Sequence, residues 1–348
     1  MSTLAFELPR GLEATAPPEQ RGVRRDGVRL LVADGATGGL VHARFDELPD
    51  LLVGGDLLVI NVSATLPAAV AGLRRGGEPV RVHFSTRAPE LGAEWRVVEL
   101  RSADGADPQP AEVGERIGLP GLHGELELVA GYLDSPRLML ARHKGLGTID
   151  DLLTHHGEPI RYRYASGAWP LSAYQTVYAA VPGSAEMPSA GRPFTAELIT
   201  ALIARGVMIT PLVLHAGVSS PERHEPPFPE EYTVPEATAE LVNLARAAGR
   251  RVIAVGTTVV RALETVAADD GTVRAGTGWT DLVIGPECDV RAVDGLITGW
   301  HEPEASHLQM LTAIAGEELL ERSYRHALAH GYRWHEFGDS HLILASAG

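Results

Sequence analysis

Cysteine is nearly absent: Cys288 is the only one in 348 residues. An internal disulfide is therefore impossible, which fits a reducing compartment. Glu287 and Asp289 flank this residue and disfavour its thiolate, so no nucleophilic role is expected of it. Cations are in deficit: 30 Lys and Arg stand against 45 Asp and Glu, a formal net charge of −15. Broad non-specific attraction to nucleic acid needs clustered cations that displace counterions. Only local basic faces are left, Arg21, Arg24, Arg25 and Arg29 in one group and Arg161 and Arg163 in a smaller one. Such runs are usually solvated. Long apolar runs are missing too. The window 51–62 is broken by Gly54, Gly55 and Asp56, so no membrane span is expected. The N-terminus has no basic start leading into an apolar stretch, so no signal peptide is expected and a cytoplasmic location is.

Several catalytic signatures are missing as well. No GxSxG, Walker A or GxGxxG stands in a strand-to-helix context, which argues against serine hydrolases, P-loop NTPases and dinucleotide dehydrogenases. The 14 histidines contain no HExxH, and His155 and His156 are adjacent on an expected turn, so no metal is expected. No internal repeat or low-complexity tract stands out.

What is present is enough apolar material, 45% of residues, to bury a sizeable core. The length suggests two domains, or one with an insertion. Residues 69–156 have a period of two, as in Val80, Val82 and Phe84, with Gly, Asp and Pro clusters between short strands. That pattern predicts a small β-barrel. The flanks, 1–68 and 157–348, alternate strands and helices and predict one discontinuous α/β layer domain around the insertion. Within them, 56–62 and 207–215 read as strands, and so do parts of 279–284. A helix is expected over 195–204, capped by Thr195, and another over 306–329. A third, over 235–248, would turn Ala237, Leu241, Leu244 and Ala248 inward.

The stretch RVIAVGTTVVRALE, 251–264, organises this reading. It predicts a buried strand, a turn at Gly256, and a helix capped by Thr257 or Thr258. Orphan N–H groups and the helix dipole attract an anion at such a start. Arg261 and Glu264 share a face with Thr257, so a capped helix with a surface ion pair is the plainer reading. PSAGRPFT, 188–195, is a glycine loop running into a helix, where Gly191 would let backbone approach a ligand; a plain turn and cap is its alternative. His215 and His301 follow strands and suit proton transfer near neutral pH, although a lone histidine is more often structural.

Taken in order, GDLLVIN, YQTVYA, PSAGRPFT, LHAGV, EEYTV, RVIAVGTTVVRALE, VDGLITGWHEP and the final FGDSHLI resemble the S-adenosylmethionine:tRNA ribosyltransferase-isomerases of queuosine synthesis. The likeness runs from 6 to 343. It implies an α/β domain interrupted by a small β-barrel. It also implies transfer and isomerisation of the ribosyl part of S-adenosylmethionine onto the aminomethyl group of a 7-deazaguanine in a tRNA anticodon, with release of adenine and methionine. S-adenosylmethionine would be a co-substrate, with no metal. On this resemblance His215, Glu231 and His301 are the expected catalytic residues. Tyr174, Gln175, Ala190, Gly191, Thr195, Gly217, Gly256, Thr257, Thr258 and Arg261 are the expected binding residues, with the Thr pair and Arg261 on the methionine carboxylate. The chain departs from the family pattern at Val62, Ala64, Arg192, Pro193 and Pro229, where polar family residues are mostly lost. Two further readings therefore accompany the first: an enzyme with a small-molecule acceptor, and a non-catalytic protein that binds S-adenosylmethionine or RNA.

Overall fold

The computed structural model describes residues 4–88, 90–122, 124–161, 164–165, 167–218, 227–303 and 305–345. Arg163 and most of the proline-rich stretch 219–229 lie outside the described residues. The chain opens with β1 (Arg29–Asp34), β2 (Gly39–Arg44), the short helix α1 (Leu48–Leu51), β3 (Leu57–Asn61) and β4 (Ser63–Thr65). Next come β5 (Ala69–Arg74), β6 (Pro79–Arg87), β7 (Trp95–Ser102), β8 (Arg116–Gly118), β9 (Glu125–Gly131) and β10 (Leu138–Lys144). Helix α2 (Ile149–His156), β11 (Gly157–Glu158) and β12 (Val181–Ser184) lead into α3 (Ala196–Ala204), β13 (Met208–Leu214) and β14 (Glu230–Val234). The last third holds α4 (Glu236–Ala247), β15 (Val252–Val255), α5 (Thr257–Val266), β16 (Gly276–Thr280), β17 (Gly295–Gly299), α6 (His307–Ala315), α7 (Glu317–Ala329) and β18 (Ser340–Leu344).

Nine of these strands form one sheet in the order β16-β14-β13-β3-β15-β17-β18-β1-β2. At its centre β3 pairs in parallel with both β13 and β15. All five residues of β3 are buried, because helices cover both faces and a continuous apolar run is then required. Alternation along the strand feeds two cores. Leu57 and Val59 join Val242, Val260 and Leu263 on one side, while Leu58 and Ile60 join Leu48, Leu198 and Leu202 on the other. A second sheet closes on itself: β5-β6-β7-β10-β9-β8, with β8 returning to β5, is a six-stranded barrel, and β11 adds to its β5 edge. Val82, Leu100, Leu126 and Leu128 fill its interior. The mixed α/β class and the barrel thus agree with the sequence pattern.

Several local expectations change. The buried face of α4 is Thr238, Ala239, Val242 and Ala245, not the stripe through Leu244, which is 62% exposed. Thr238 turns inward because its hydroxyl donates to the Pro211 carbonyl at 2.6 Å. The single helix expected over 306–329 is two, broken at Gly316 with φ 75. His155 and His156 end α2 instead of occupying a turn. The strand sought within 279–284 is Gly276–Thr280. The N-terminal basic group is mostly not a solvated face. Arg21 donates to the Phe337 carbonyl at 2.6 Å, Arg25 pairs with Glu19 and Arg29 with Asp339. The Arg21 and Arg29 contacts tie the segment before β18 to the N-terminal segment. Among the described residues, no helix is long and apolar enough to cross a membrane.

Candidate active site

Strands β3, β13 and β15 end side by side, and one buried amide ties the ends together. Asn61 donates from Nδ2 to the Leu214 carbonyl at 2.8 Å and to Thr258 Oγ1 at 3.2 Å. Its Oδ1 accepts from the N–H groups of Leu214 at 3.1 Å and Ser63 at 3.0 Å. Beyond these carboxyl ends opens a cleft of about 340 Å³, the usual ligand position for an α/β sheet. The barrel reaches it through Ser85 and Thr86 of β6, and Ser85 Oγ accepts from the Val218 N–H at 3.0 Å.

The start of α5 lines the cleft with Gly256, Thr257 and Thr258. The cap is Gly256 itself, at φ 100 and ψ 152, with no side-chain cap bond. The threonines are the first helical residues, not caps as the sequence suggested. The Thr257 hydroxyl and the N–H groups of Thr257 and Thr258 are thereby left for a ligand, whereas Thr258 Oγ1 already accepts from Asn61. Only glycine adopts that backbone region without strain. Gly256→Ala is expected to cost about 1–3 kcal/mol of stability and to shift the helix start. A urea melt with the wild-type midpoint would contradict this.

Arg261 is not the exposed half of a surface pair with Glu264. It is buried and forms an ion pair with Glu230. Its remaining donors go to the carbonyls of Leu282 at 3.1 Å, Thr280 at 3.0 Å and Phe228 at 3.3 Å. Glu264 instead accepts from the N–H groups of Arg291 and Ala292. Glu230 also accepts from the Gly217 N–H at 2.9 Å. Burial pushes its carboxyl above the usual range, against the opposing pull of Arg261 and Gly217. Of the two adjacent acids on β14, Glu230 lines the cleft, whereas Glu231, the residue expected from sequence, does not. Successive strand residues face opposite sides, and that alternation on β14 is the signal that separates the two.

The opposite wall carries aromatics and acids that the sequence reading missed, apart from His301 and Tyr174. His301 Nε2 bonds Thr298 Oγ1 at 2.9 Å, and its ring stacks on His307 at 4.7 Å and 12°. Burial, and then His307, holds His301 well below the ordinary imidazole range. Burial lowers His307 and His335 to about 4. His335 stacks on Tyr164 at 3.7 Å and 8° and has a left-handed φ of 72, a strained conformation of the kind found at functional sites. The Tyr164 hydroxyl donates to Glu336 at 2.5 Å, and burial raises the Glu336 carboxyl. Tyr174 lines the cleft with its hydroxyl unpartnered among the described residues, pushed up by burial to about 12. A neutral imidazole keeps a lone pair that can accept a proton, and a raised carboxyl holds its proton to higher pH than an ordinary one.

Ala190 and Gly217 line the cleft as expected. Gln175, Gly191, Thr195 and His215 do not, and each has a local task. Gln175 clamps the backbone of Thr65 with bonds of 2.9 and 2.8 Å. At Gly191 a Cβ would strike the Tyr178 hydroxyl, so the glycine admits that side chain. Thr195 caps α3 by accepting from the Leu198 N–H at 3.1 Å. His215 Nδ1 bonds Ser63 Oγ at 2.7 Å, and Ser63 bonds Ser184 at 2.6 Å. Burial lowers His215. The departure at Arg192 is also accounted for. This buried side chain pairs with Glu19 at 2.9 Å, donates to the Ala173 carbonyl at 2.9 Å and lies over Phe337.

Comparison with known proteins gives a consistent result. A profile described as queuosine biosynthesis protein matches residues 1–343. The S-adenosylmethionine:tRNA ribosyltransferase-isomerase of Symbiobacterium thermophilum is 37% identical, covering 99% of both chains. That of Moorella thermoacetica is 37% identical over 97% of this chain and 98% of its own. The crystal structure of S-adenosylmethionine tRNA ribosyltransferase from Thermotoga maritima is 30% identical with a TM-score of 0.55, covering 99% of this chain and 100% of that one. The chain belongs to the queuosine biosynthesis family, whose curated relatives are S-adenosylmethionine:tRNA ribosyltransferase-isomerases.

Proposed function

We propose that this enzyme transfers the ribosyl part of S-adenosylmethionine to the 7-aminomethyl-7-deazaguanine base of a tRNA anticodon stem-loop and isomerises it, releasing adenine and methionine. The observation that carries the reading is the pairing, in one cleft, of an open helix start with uncharged imidazoles and raised carboxyls. In this reading the first N–H groups of α5 and the Thr257 and Thr258 hydroxyls hold the methionine carboxylate. The sulfonium acidifies the neighbouring 5′ carbon, and His301, kept neutral by burial, takes that proton. Methionine leaves with the carbon–sulfur electron pair, and adenine leaves with the C1′–N pair and takes a proton from Glu336, which burial keeps protonated more readily than an ordinary carboxyl. The aminomethyl nitrogen forms the new bond to the sugar and gives up a proton, and the sugar closes to an epoxycyclopentane through new carbon–carbon and carbon–oxygen bonds in place of those broken. Arg261 acts by fixing Glu230 and the loop carbonyls, and His215 by holding Ser63, with Glu231 and Gln175 outside the cleft. Residues 69–156 form the inserted domain, which we assign to covering the cleft beside the tRNA. The protein works in the cytoplasm, where its tRNA is found.

The test is mass spectrometry of the protein with S-adenosylmethionine, with and without tRNA carrying the 7-aminomethyl-7-deazaguanine. Adenine and methionine release that requires the tRNA, with a matching mass gain on the base, is expected. Release without tRNA would replace tRNA by another acceptor or by water. Binding of S-adenosylmethionine with no release in the presence of that tRNA would reject the enzymatic reading.

A further inference from the structure

Away from the cleft, three exposed histidines meet. His42 lies on β2, the edge strand of the large sheet, while His326 sits on α7 and His330 at its C-cap. Their ligand atoms all lie within 4.8 Å of one another. The ring centroids of His42 and His330 are 4.4 Å apart, and His326 stacks on His330 at 14°. None of the three lines the cleft. The absence of a metal signature in sequence weighed only close neighbours, whereas this group spans 42 to 330. Its readable part is the four-residue spacing of His326 and His330, which puts both on one helix face.

Two rings are already oriented as metal ligands are. His330 Nδ1 bonds the His326 carbonyl at 2.8 Å, which makes Nδ1 the protonated nitrogen and leaves the Nε2 lone pair free. His42 Nδ1 bonds the Tyr332 hydroxyl at 2.9 Å; when Nδ1 donates, Nε2 is left for a metal. Arg29, which lies over Tyr332 at 4.3 Å, is paired with Asp339 at 2.7 Å. Imidazole nitrogens on a tetrahedral ion sit about 3.3 Å apart, so closing the group takes rotamer adjustments of about 1.5 Å at most.

We propose that His42, His326 and His330 form a binding site for a borderline divalent transition ion, Zn²⁺ being the probe of choice, with the fourth position open to water. Three imidazoles without a thiolate select this class over Mg²⁺ or Ca²⁺. The ion fastens the exposed edge strand β2 to α7 and so protects an edge otherwise open to pairing.

The full chain, without a histidine tag and stripped with chelator, is titrated with Zn²⁺ by calorimetry and with Co²⁺ by visible absorption. Uptake of about one equivalent is expected, with an intense tetrahedral Co²⁺ band. Melting in chelator and in Zn²⁺ should differ, the ion raising the midpoint. The double variant His326→Gln with His330→Gln, and the single variant His42→Gln, should weaken binding roughly tenfold or more and lose the thermal shift. Their melting in chelator should match wild type, since all three side chains are exposed. No saturable uptake by wild type, or wild-type affinity in the double variant, would overturn the site. Adenine release should be the same with and without Zn²⁺, which separates this inference from the proposed reaction.

Discussion

Arg261→Ala is expected to destabilise the fold by about 3–5 kcal/mol, the range for removing one partner of a buried ion pair. The guanidinium is 5% exposed, and its loss would leave the Glu230 carboxylate with the Gly217 N–H as its partner. It would also free the carbonyls of Leu282, Thr280 and Phe228, three points on the loops around the cleft. An unpaired buried charge costs more than the net worth of the pair. Combining Arg261→Met with Glu230→Gln should therefore recover much of the loss, because the charge is removed along with its partner. Urea melts of the two single variants and the double variant form the cycle that measures this coupling. The same experiment distinguishes two roles for Arg261. A residue whose only task is to hold the substrate carboxylate would, when removed, weaken S-adenosylmethionine binding by on the order of ten- to a hundredfold with an unchanged melt. That result would contradict the scaffold role and return Arg261 to direct contact.

How far the sequence foretold this site depends on the period of the signal. Continuous apolar runs identified β3 and β15, since a central strand covered on both faces leaves no polar alternation to misread. The two-residue period identified the barrel for the converse reason. The strand-turn-helix around Gly256 was legible because a left-handed turn demands glycine. Its cap was misread, because both threonines at the turn satisfy the propensity and only the dihedral angles show that the helix starts after Gly256. Glu230 and Glu231 are adjacent acids, and no propensity separates them; the pairing of β14 with β13 and β16 does. Tyr164, His307, His335 and Glu336 were out of reach for a different reason. They reach the cleft from separate loops and helix starts, and stacking and burial are tertiary facts. Gln175, Gly191 and Thr195 carry local chemistry that the sequence shows, and in the structure Thr65, Tyr178 and the start of α3 are their neighbours.

Lowering the pH from 7 to 5 should cost about 4 kcal/mol of stability through two buried histidines alone. His83, on β6, and His341, on β18, are 1% and 0% exposed. Among the described residues neither ring nitrogen of either has a hydrogen-bond partner. Burial lowers both to about 3, with Arg101 adding to the effect at His83. His341 is held against Trp300, stacked at 4.5 Å and 12°, where no water can solvate an imidazolium. In the unfolded chain both would titrate near 6.5. Between that value and about 3, the unfolded state binds more protons than the native one, so stability falls as the pH falls. The contribution is complete above the unfolded value and shrinks by about 1.4 kcal/mol per pH unit for each group below it. Denaturant melts at pH 7 and pH 5 measure the total, and His341→Leu isolates one group. The variant should lose about 2 kcal/mol of the difference between the two pH values; an undiminished difference would mean that His341 does not titrate with unfolding. The cleft imidazoles His307 and His335, lowered to about 4, obey the same sign with a smaller share, because they border open space. Acid thus weakens the fold before it protonates the cleft. A loss of adenine release near pH 5 should accompany the loss of native structure and recover on return to pH 7, without an earlier step from titration of the cleft itself.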